Sequence, residues 1–511
     1  MSPLATEPAH VATPGGVLLV LAVMLPVVAV LLMLALGPRW TRRIALATLA
    51  AGLLVTIAIL AELLRTGDAL TYVVGGWQPP LGIALRADGT SVAMLAMTAL
   101  VIAATGCFAY AQQQLDPASG HGRAPTSFWI LLMAVWSALN AIFVGEDLFN
   151  LYVALELLTF AAVPLVCLDG RAETMAAALR YLMFALLGSL LYLLGTALIY
   201  GSFGTLDISL LSQASAEGPV FPVALALMIA GLLAKAALFP LHLWLPPAHA
   251  GAPASASAVL SALVIKAPFF LILRLVLDVA PPQSAAFAGQ FLAVLGAASI
   301  LFCSVMALRQ ARLKLMIAYS TVAQIGYLFI VFPLASGSET LPPWGTIAWT
   351  GGALQLVSHA LAKAAMFLAA GAIAEAYGHD RISDLGGFGR ALPISAAAFG
   401  LAGLSLMGIP PSGGFVAKCL LLTAAVIGGH PWLAATILAG GLLAGSYVFR
   451  VVDRALATPA IPLAPRKPIP RRLELAALVL AVAAVLLGLV PLQPFAFLQI
   501  GRPDGLTAVA P

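Results

Sequence analysis

Charge is what this sequence most lacks. Aspartate, glutamate, lysine and arginine make up 9% of its 511 residues, where a soluble globular domain carries about 25%. A large water-facing surface cannot be built from so few charges. Cysteine is scarce as well: Cys107, Cys167, Cys303 and Cys419 are scattered through apolar stretches with no C-x-x-C spacing. That spacing indicates neither a disulfide framework nor a thiolate-held iron–sulfur cluster. No G-x-x-x-x-G-K-[ST] loop and no strand-led G-x-G-x-x-G occurs, so no nucleotide site is visible and no cofactor or metal is expected. The energy that drives this chain has to come from a gradient or from a partner.

What the chain has in abundance is apolar sequence: 62% hydrophobic residues and a mean hydropathy of +1.04. We count 14 stretches of spanning length, at about 20 residues each. They lie at 16–37, 44–64, 91–113, 128–145, 147–168, 179–200, 222–240, 252–275, 286–308, 313–334, 346–374, 392–427 (broken), 433–452 and 473–493. In lipid every backbone polar group must be satisfied internally, and strands of barrel type would alternate in hydrophobicity. The reading is an all-α polytopic membrane helical bundle, one membrane domain over residues 1–511, with no linker long enough for a separate soluble domain.

The charges that remain are placed unevenly. No lysine or arginine precedes the first apolar run, while "PRWTRR" follows it, the reverse of a cleaved signal peptide. Counting loops from there, one side holds 17 Lys/Arg and the other four: Arg65, Arg86, Arg274 and Arg502. The positive-inside rule then sets both termini outside, in a multi-pass protein of the plasma membrane. The net charge of +5 reports topology, not nucleic-acid binding.

Only six lysines exist. Lys314 and Lys467 lie at helix ends or in a loop; Lys235, Lys266, Lys363 and Lys418 fall inside apolar stretches, together with Glu156 and His359. Insertion costs about 2.5–3.5 kcal/mol per charge at a helix centre, so four lysines cost roughly 10–14 kcal/mol. That equals a typical folding free energy of about 5–15 kcal/mol. The cost has to be offset by pairing, by a watered cavity or by loss of a proton. One such lysine is often a static ion pair or a side chain snorkelling to the interface. Four, in separate helices with a glutamate and a histidine, are better explained as a charged file across the membrane.

Two of these lysines adjoin helix breakers. Pro240 follows Lys235 by five residues; Pro410, Pro411, Gly413 and Gly414 precede Lys418. Such interruptions persist at membrane depth only where protein or water receives them. The stretches "GLLAK" (231–235) and "GFVAK" (414–418) echo each other five helices apart, the layout of an inverted repeat with discontinuous helices 7 and 12. Glu156 is ten residues into the fifth stretch, too deep to be a helix-start carboxylate, a role that suits Asp147, and it is the expected partner of Lys235. His359 precedes Lys363 by four residues and shares its helix face, and its ordinary pKa of about 6.5 suits proton relay. His242 and His249 flank the "LWLPP" break and are candidates for proton uptake, with loop histidines as the plainer reading.

These segments together resemble the antiporter-like proton-translocating subunits shared by Mrp-type multisubunit Na+/H+ antiporters, the complex I membrane arm and membrane-bound hydrogenases. The resemblance spans about residues 90–450. It is carried by "LFNLYVALEL", "AKAALFPLHLWLPPAHAGAPASASAVLSALVIK", "ARLKLMIAYSTVAQIGY", "SHALAKAAMFLAAGAI" and "GIPPSGGFVAK". It implies about 14 helices with two inverted five-helix repeats, 128–275 (helices 4–8) and 286–452 (helices 9–13), each holding a half-channel. It further implies that Glu156 and Lys235 are the charged pair, that Lys266 and His359 form the central relay with Lys363 beside it, and that Lys418 is the exit-side lysine. The lysine at 418 and "LFNLYVALE" resemble the D-type member of the Mrp antiporters, which exchanges Na+ or another monovalent cation for H+ only with its partner membrane subunits. The alternative is a proton-pumping subunit of an NADH:quinone oxidoreductase or hydrogenase. In either case no covalent chemistry is expected in this chain.

Overall fold

The computed structural model describes residues 10–115, 123–214, 218–335, 343–458, 464–491 and 493–501. The residues before His10, and Arg502, which is counted on the outer side above, lie outside them. Among the described residues fourteen helical spans run in sequence: α1 Val17–Leu36, α2 Pro38–Thr66, α3 Gly89–Gln113, α4 Arg123–Val144, α5 Leu148–Val166, α6 Ala172–Phe203 and α7, in two pieces, Val220–Ala236 and Leu245–Gly251. Then follow α8 Ala254–Val279, α9 Pro282–Leu308, α10 Leu313–Ala335, α11 Pro343–Tyr377, α12, in two pieces, Pro393–Met407 and Gly413–Ile427, α13 Pro431–Leu456 and α14 Arg471–Leu486. Eleven of the described helices are individually long and apolar enough to cross a bilayer; α7 and α12 fall short because they are broken, and α14 is shorter.

The starts of these helices follow local chemistry. The Asp88, Asp147 and Ser412 side chains accept backbone N–H groups at the first turns of α3, α5 and the second half of α12, and α2, α9 and α13 open on proline, whose missing donor costs nothing there. Between α2 and α3 a two-stranded antiparallel hairpin, β1 Leu70–Val73 and β2 Ala84–Ala87, lies outside the spans; the hydropathy pattern alone does not announce it.

Two pairs of features repeat with opposite orientation, since five helices separate them. Just before α5 and just after α6, Leu148 N–H bonds Leu206 C=O at 2.9 Å and Ile208 N–H bonds Glu146 C=O at 2.8 Å, bridging Asp147 to Asp207. Just before α10 and just after α11, Leu313 N–H bonds Asp380 C=O at 2.7 Å and Ile382 N–H bonds Ala311 C=O at 2.9 Å, bridging Arg312 to Arg381. The helix breaks match as well. The first half of α7 ends on Ala237 (φ 53) with Leu238 N–H bonded to Leu233 C=O; the first half of α12 ends on Gly408 (φ 79) with Ile409 N–H bonded to Leu404 C=O. Both are Schellman-type stops.

This match corrects the sequence echo. The break follows Lys235 but precedes Lys418, so "GLLAK" and "GFVAK" do not occupy equivalent places. Arg274 is a second correction. It is not an outer-loop residue but a buried one, in the last turns of α8.

Helices α8 and α11 form the centre. The most apolar window of α8 is buried throughout, whereas those of α1 and α2 are about one-third buried, which makes them peripheral. Small residues let the backbones close up: a Cβ added at Gly231 would sit 2.2 Å from the Gly188 carbonyl oxygen, and one at Gly326 would sit 2.3 Å from that of Gly296. Lipid offers no hydrophobic drive between helices, so close approach of this kind is what holds α6 to α7 and α9 to α10.

Candidate functional site

The Gly188–Gly231 contact aims α7 at its neighbours. One turn beyond Gly231, Lys235 projects past α6 to α5, where Nζ donates to Glu156 Oε1 at 3.2 Å and to Thr159 Oγ1 at 3.0 Å. Ser189 of α6 also donates to Glu156. The expected pair therefore forms, from three helices. Ala237, two residues on, has a backbone conformation that costs an ordinary residue roughly 1–2 kcal/mol. It is the one non-glycine residue with positive φ among the described residues, and such strain clusters at functional sites.

Lys266 is fully buried in α8. Pro268 lacks a backbone donor, and the chain before it widens into a π turn over Leu260–Val264. The Lys266 amine donates to the Ser261 carbonyl in that turn, and Ser261 Oγ is 2.8 Å from Thr321 Oγ1 of α10. The adjacent residue of α10, Ser320, accepts from Lys363 Nζ, which also donates to the Ile317 carbonyl at 3.2 Å. Lys418, in the second half of α12, donates to the Leu406 carbonyl left free by the helix break and lies 4.4 Å from the centre of the Tyr327 ring. Gly408 leaves it room: a Cβ there would be 2.8 Å from Lys418 Cδ.

His359 sits among these amines. Lys266, Lys363 and Lys418 are the cations within electrostatic reach of its ring, and neither ring nitrogen has a hydrogen-bond partner among the described residues. A structural histidine in a core is normally bonded. His359 is instead a free donor and acceptor between three amines. The structure thus brings the six residues into two groups, Glu156–Lys235 and Lys266–His359–Lys363–Lys418. Next to Lys235, Trp244 donates to the Ala234 carbonyl at 2.9 Å, stacks on Tyr181 at 4.1 Å and lies 6.2 Å from the His249 ring. His242 lies in the turn between the two pieces of α7 and His249 in the second piece, and both are buried. His249 interacts electrostatically with Lys266; His242 lies among Phe239, Phe302 and Tyr319.

Three elements of the site escape a reading of the sequence. Gln355 of α11 donates to Gln324 of α10 at 3.3 Å, and Gln324 donates at 3.3 Å to the same Leu406 carbonyl that Lys418 uses. Helical spacing is the available signal, since Gln355, His359 and Lys363 stand four apart on one face. Lys314 stands at the start of α10, as its sequence position suggests, but is buried there. A charge cluster closes the opposite end of α8, where Arg274 pairs with Asp88 at 2.6 Å and Asp278 at 2.9 Å and donates to Ser91 Oγ at 3.0 Å. Burial works to raise the Asp88 pKa, but the Arg274 and Arg86 guanidiniums outweigh it and hold the carboxyl at about 2. Glu146, bonded by Ser209 at 2.7 Å, is pushed up by burial.

A bundle with two broken helices and titratable side chains buried in its interior defines the class of polytopic membrane proteins with charged interiors. A family model for "NADH:quinone oxidoreductase/Mrp antiporter, TM" matches residues 145–444. The N subunit of NADH-quinone oxidoreductase from Desulforudis audaxviator is 35% identical over 93% of this chain and 95% of its own length. The D subunit of the Na(+)/H(+) antiporter from Alkalihalophilus pseudofirmus is 28% identical over 76% of each chain. In the structure of the Mrp complex from Dietzia sp., one chain superposes with a TM-score of 0.85 at 26% identity, covering 95% of this chain and 96% of that one. The chain belongs to the NADH:quinone oxidoreductase/Mrp antiporter transmembrane family, as an antiporter-like membrane subunit.

Proposed function

We propose that this chain is the proton-translocating subunit of a multisubunit monovalent cation/proton (Na+/H+) antiporter, of the Mrp D type. The observation that carries proton translocation is the position of His359, unbonded among Lys266, Lys363 and Lys418. Each of these groups can hold or release a proton, and a static ion pair has no use for such an arrangement. Glu156–Lys235 serves one half-channel and Lys418 the other, within repeats of 128–275 and 286–452. The likeness to a chain of the Dietzia Mrp complex over nearly the whole length supports an Mrp-type subunit, and the 28% identity to a Na(+)/H(+) antiporter D subunit supports the D type within it. We place the protein in the plasma membrane with both termini outside, among other membrane subunits.

One observation favours a second reading. The identity of 35% to an N subunit of NADH-quinone oxidoreductase exceeds the 28% to an antiporter D subunit. In that case the same proton file would be driven by redox chemistry in partner subunits. Purifying the chain with its attached subunits and identifying them by mass spectrometry separates the two. Small membrane subunits together with Na+-dependent proton movement in vesicles support the antiporter; flavin- or iron–sulfur-bearing subunits with no Na+ response overturn it.

A further inference from the structure

Lys314 stands in the first turn of α10 on the arginine-rich face and is 8% exposed. Its amine donates to the carbonyl of Ala252, in the short link between the second half of α7 and α8. The last residue of α7 before that link is also held, since Arg171 donates to the Gly251 carbonyl at 2.9 Å. Three residues before Ala252 is His249, fully buried, with both ring nitrogens unpartnered among the described residues. Two cations, Lys266 and Lys314, lie within electrostatic reach of its ring. Around Lys314 the charged neighbours are Asp380, Arg312, Arg171 and Asp169. Asp380 accepts the Lys314 backbone N–H at 3.3 Å and pairs with Arg312 at 2.9 Å, and the Arg312 side chain is half exposed. A crevice of about 530 Å³ beside these residues, lined by Arg180, Pro246, Pro247, Leu315 and Tyr319, reaches the same two helices.

From this face inward the titratable groups therefore run Asp380, Lys314, His249, Lys266. At the far end of α8 the Asp88–Arg274–Asp278 ion pairs occupy the corresponding position, and guanidiniums do not exchange protons near neutral pH. Lys266 thus has a titratable route to one face and an ion-paired stop toward the other.

We infer that Lys314 is the proton-uptake relay on the arginine-rich face, supplying Lys266 by way of His249. The Lys314 ammonium gives a proton to a ring nitrogen of His249; the imidazolium gives its proton to the Lys266 amine; Lys314 is recharged from the side of Asp380. The steps conserve charge and need no other reactant. The inference rests on the proton-file reading above.

The competing role is purely structural, an amine tying down the Ala252 carbonyl. Arginine keeps that donor and the charge but holds its proton, whereas histidine can exchange one. The experiment compares Lys314→Arg, Lys314→His and Lys314→Met in the whole complex, with assembly checked by co-purification of the partner subunits. Proton-coupled transport is followed in inverted vesicles across a range of pH, and Lys266→Met is run in parallel. We expect Lys314→Arg and Lys314→Met each to lower transport by about tenfold or more, as for loss of a proton-transfer group. Lys314→His should retain more activity than either, with its optimum at lower pH. Wild-type transport by an assembled Lys314→Arg complex overturns the inference, because a mere donor is replaceable by arginine. Wild-type transport by Lys266→Met instead overturns the proton file itself, so the two failures are distinguishable.

Discussion

Lys235 and Glu156, 79 residues apart in sequence, meet at 3.2 Å between the interiors of α7 and α5, with Thr159 and Ser189 completing the contacts. Lys235 stands two residues before Ala237, whose positive φ marks the α7 break. Replacing either residue by alanine should reduce proton-coupled transport to background, a loss of about a hundredfold or more for a proton-transfer group. Assembly should survive, because a buried group left alone changes its protonation sooner than it keeps an uncompensated charge. Dye-monitored proton movement in vesicles and co-purification of partner subunits read the two effects separately. Wild-type rates in either variant contradict the role.

His359 allows a sharper distinction between transport and architecture. A core histidine that is hydrogen-bonded costs about 1–3 kcal/mol to remove, through the partner left unsatisfied. His359 has no such partner among the described residues. His359→Leu should therefore leave the thermal midpoint of the purified complex unchanged or raised while transport falls by at least about tenfold. A drop in thermal stability with transport retained identifies a structural residue and refutes the relay.

Asp88 and Arg274 make the opposite case, stability without transport chemistry. The Asp88 carboxyl is held at about 2 in the folded protein, against about 3.9 in an unfolded chain. A depressed carboxyl contributes stability that is fully present above its unfolded value and is lost as pH falls through the folded one. The contribution is constant from neutral pH down to about 5 and fades between about 4 and 2. Asp88→Asn should lower stability by about 2–3 kcal/mol, the worth of a charged hydrogen bond, since Asp278 still faces Arg274. Thermal melts of wild type and variant across this pH range check both statements; a wild-type contribution that changes between pH 6 and 8 speaks against them.

Most of the architecture is legible in the sequence because lipid permits so few solutions. The 14 apolar stretches correspond to 14 helical spans, and the breaks at Pro240 and Pro410–Pro411 lie where proline and glycine cluster. The pairing of Glu156 with Lys235 is legible because each is expensive alone. Burial of Lys314 and Arg274 is not, because hydropathy cannot tell a helix end facing solvent from one covered by the α7–α8 link or by the segment leading into α3. The repeat is visible in the sequence, but its register is not. A five-residue echo aligns two lysines, whereas the equivalent points are Ala237 and Gly408, defined by backbone conformation that no residue match records.

That register bears on Lys418. It stands beyond the α12 break, with its amine on the Leu406 carbonyl and its charge over the Tyr327 ring. If position 418 has only to hold and release a proton, Lys418→Glu should keep part of the activity, and Lys418→Gln, which cannot titrate, should keep none. The glutamate will not match the lysine. A carboxylate would face the Leu406 carbonyl and the negative face of Tyr327, and it can bond that carbonyl only as the neutral acid. We therefore expect Lys418→Glu to transport several-fold more slowly than wild type, with a shifted pH profile, measured as initial proton flux in vesicles across a pH series. Equal activity of the glutamine and glutamate variants would show that no proton passes through residue 418, and the exit would then have to be sought along Gln324 and Gln355, the first of which shares its carbonyl.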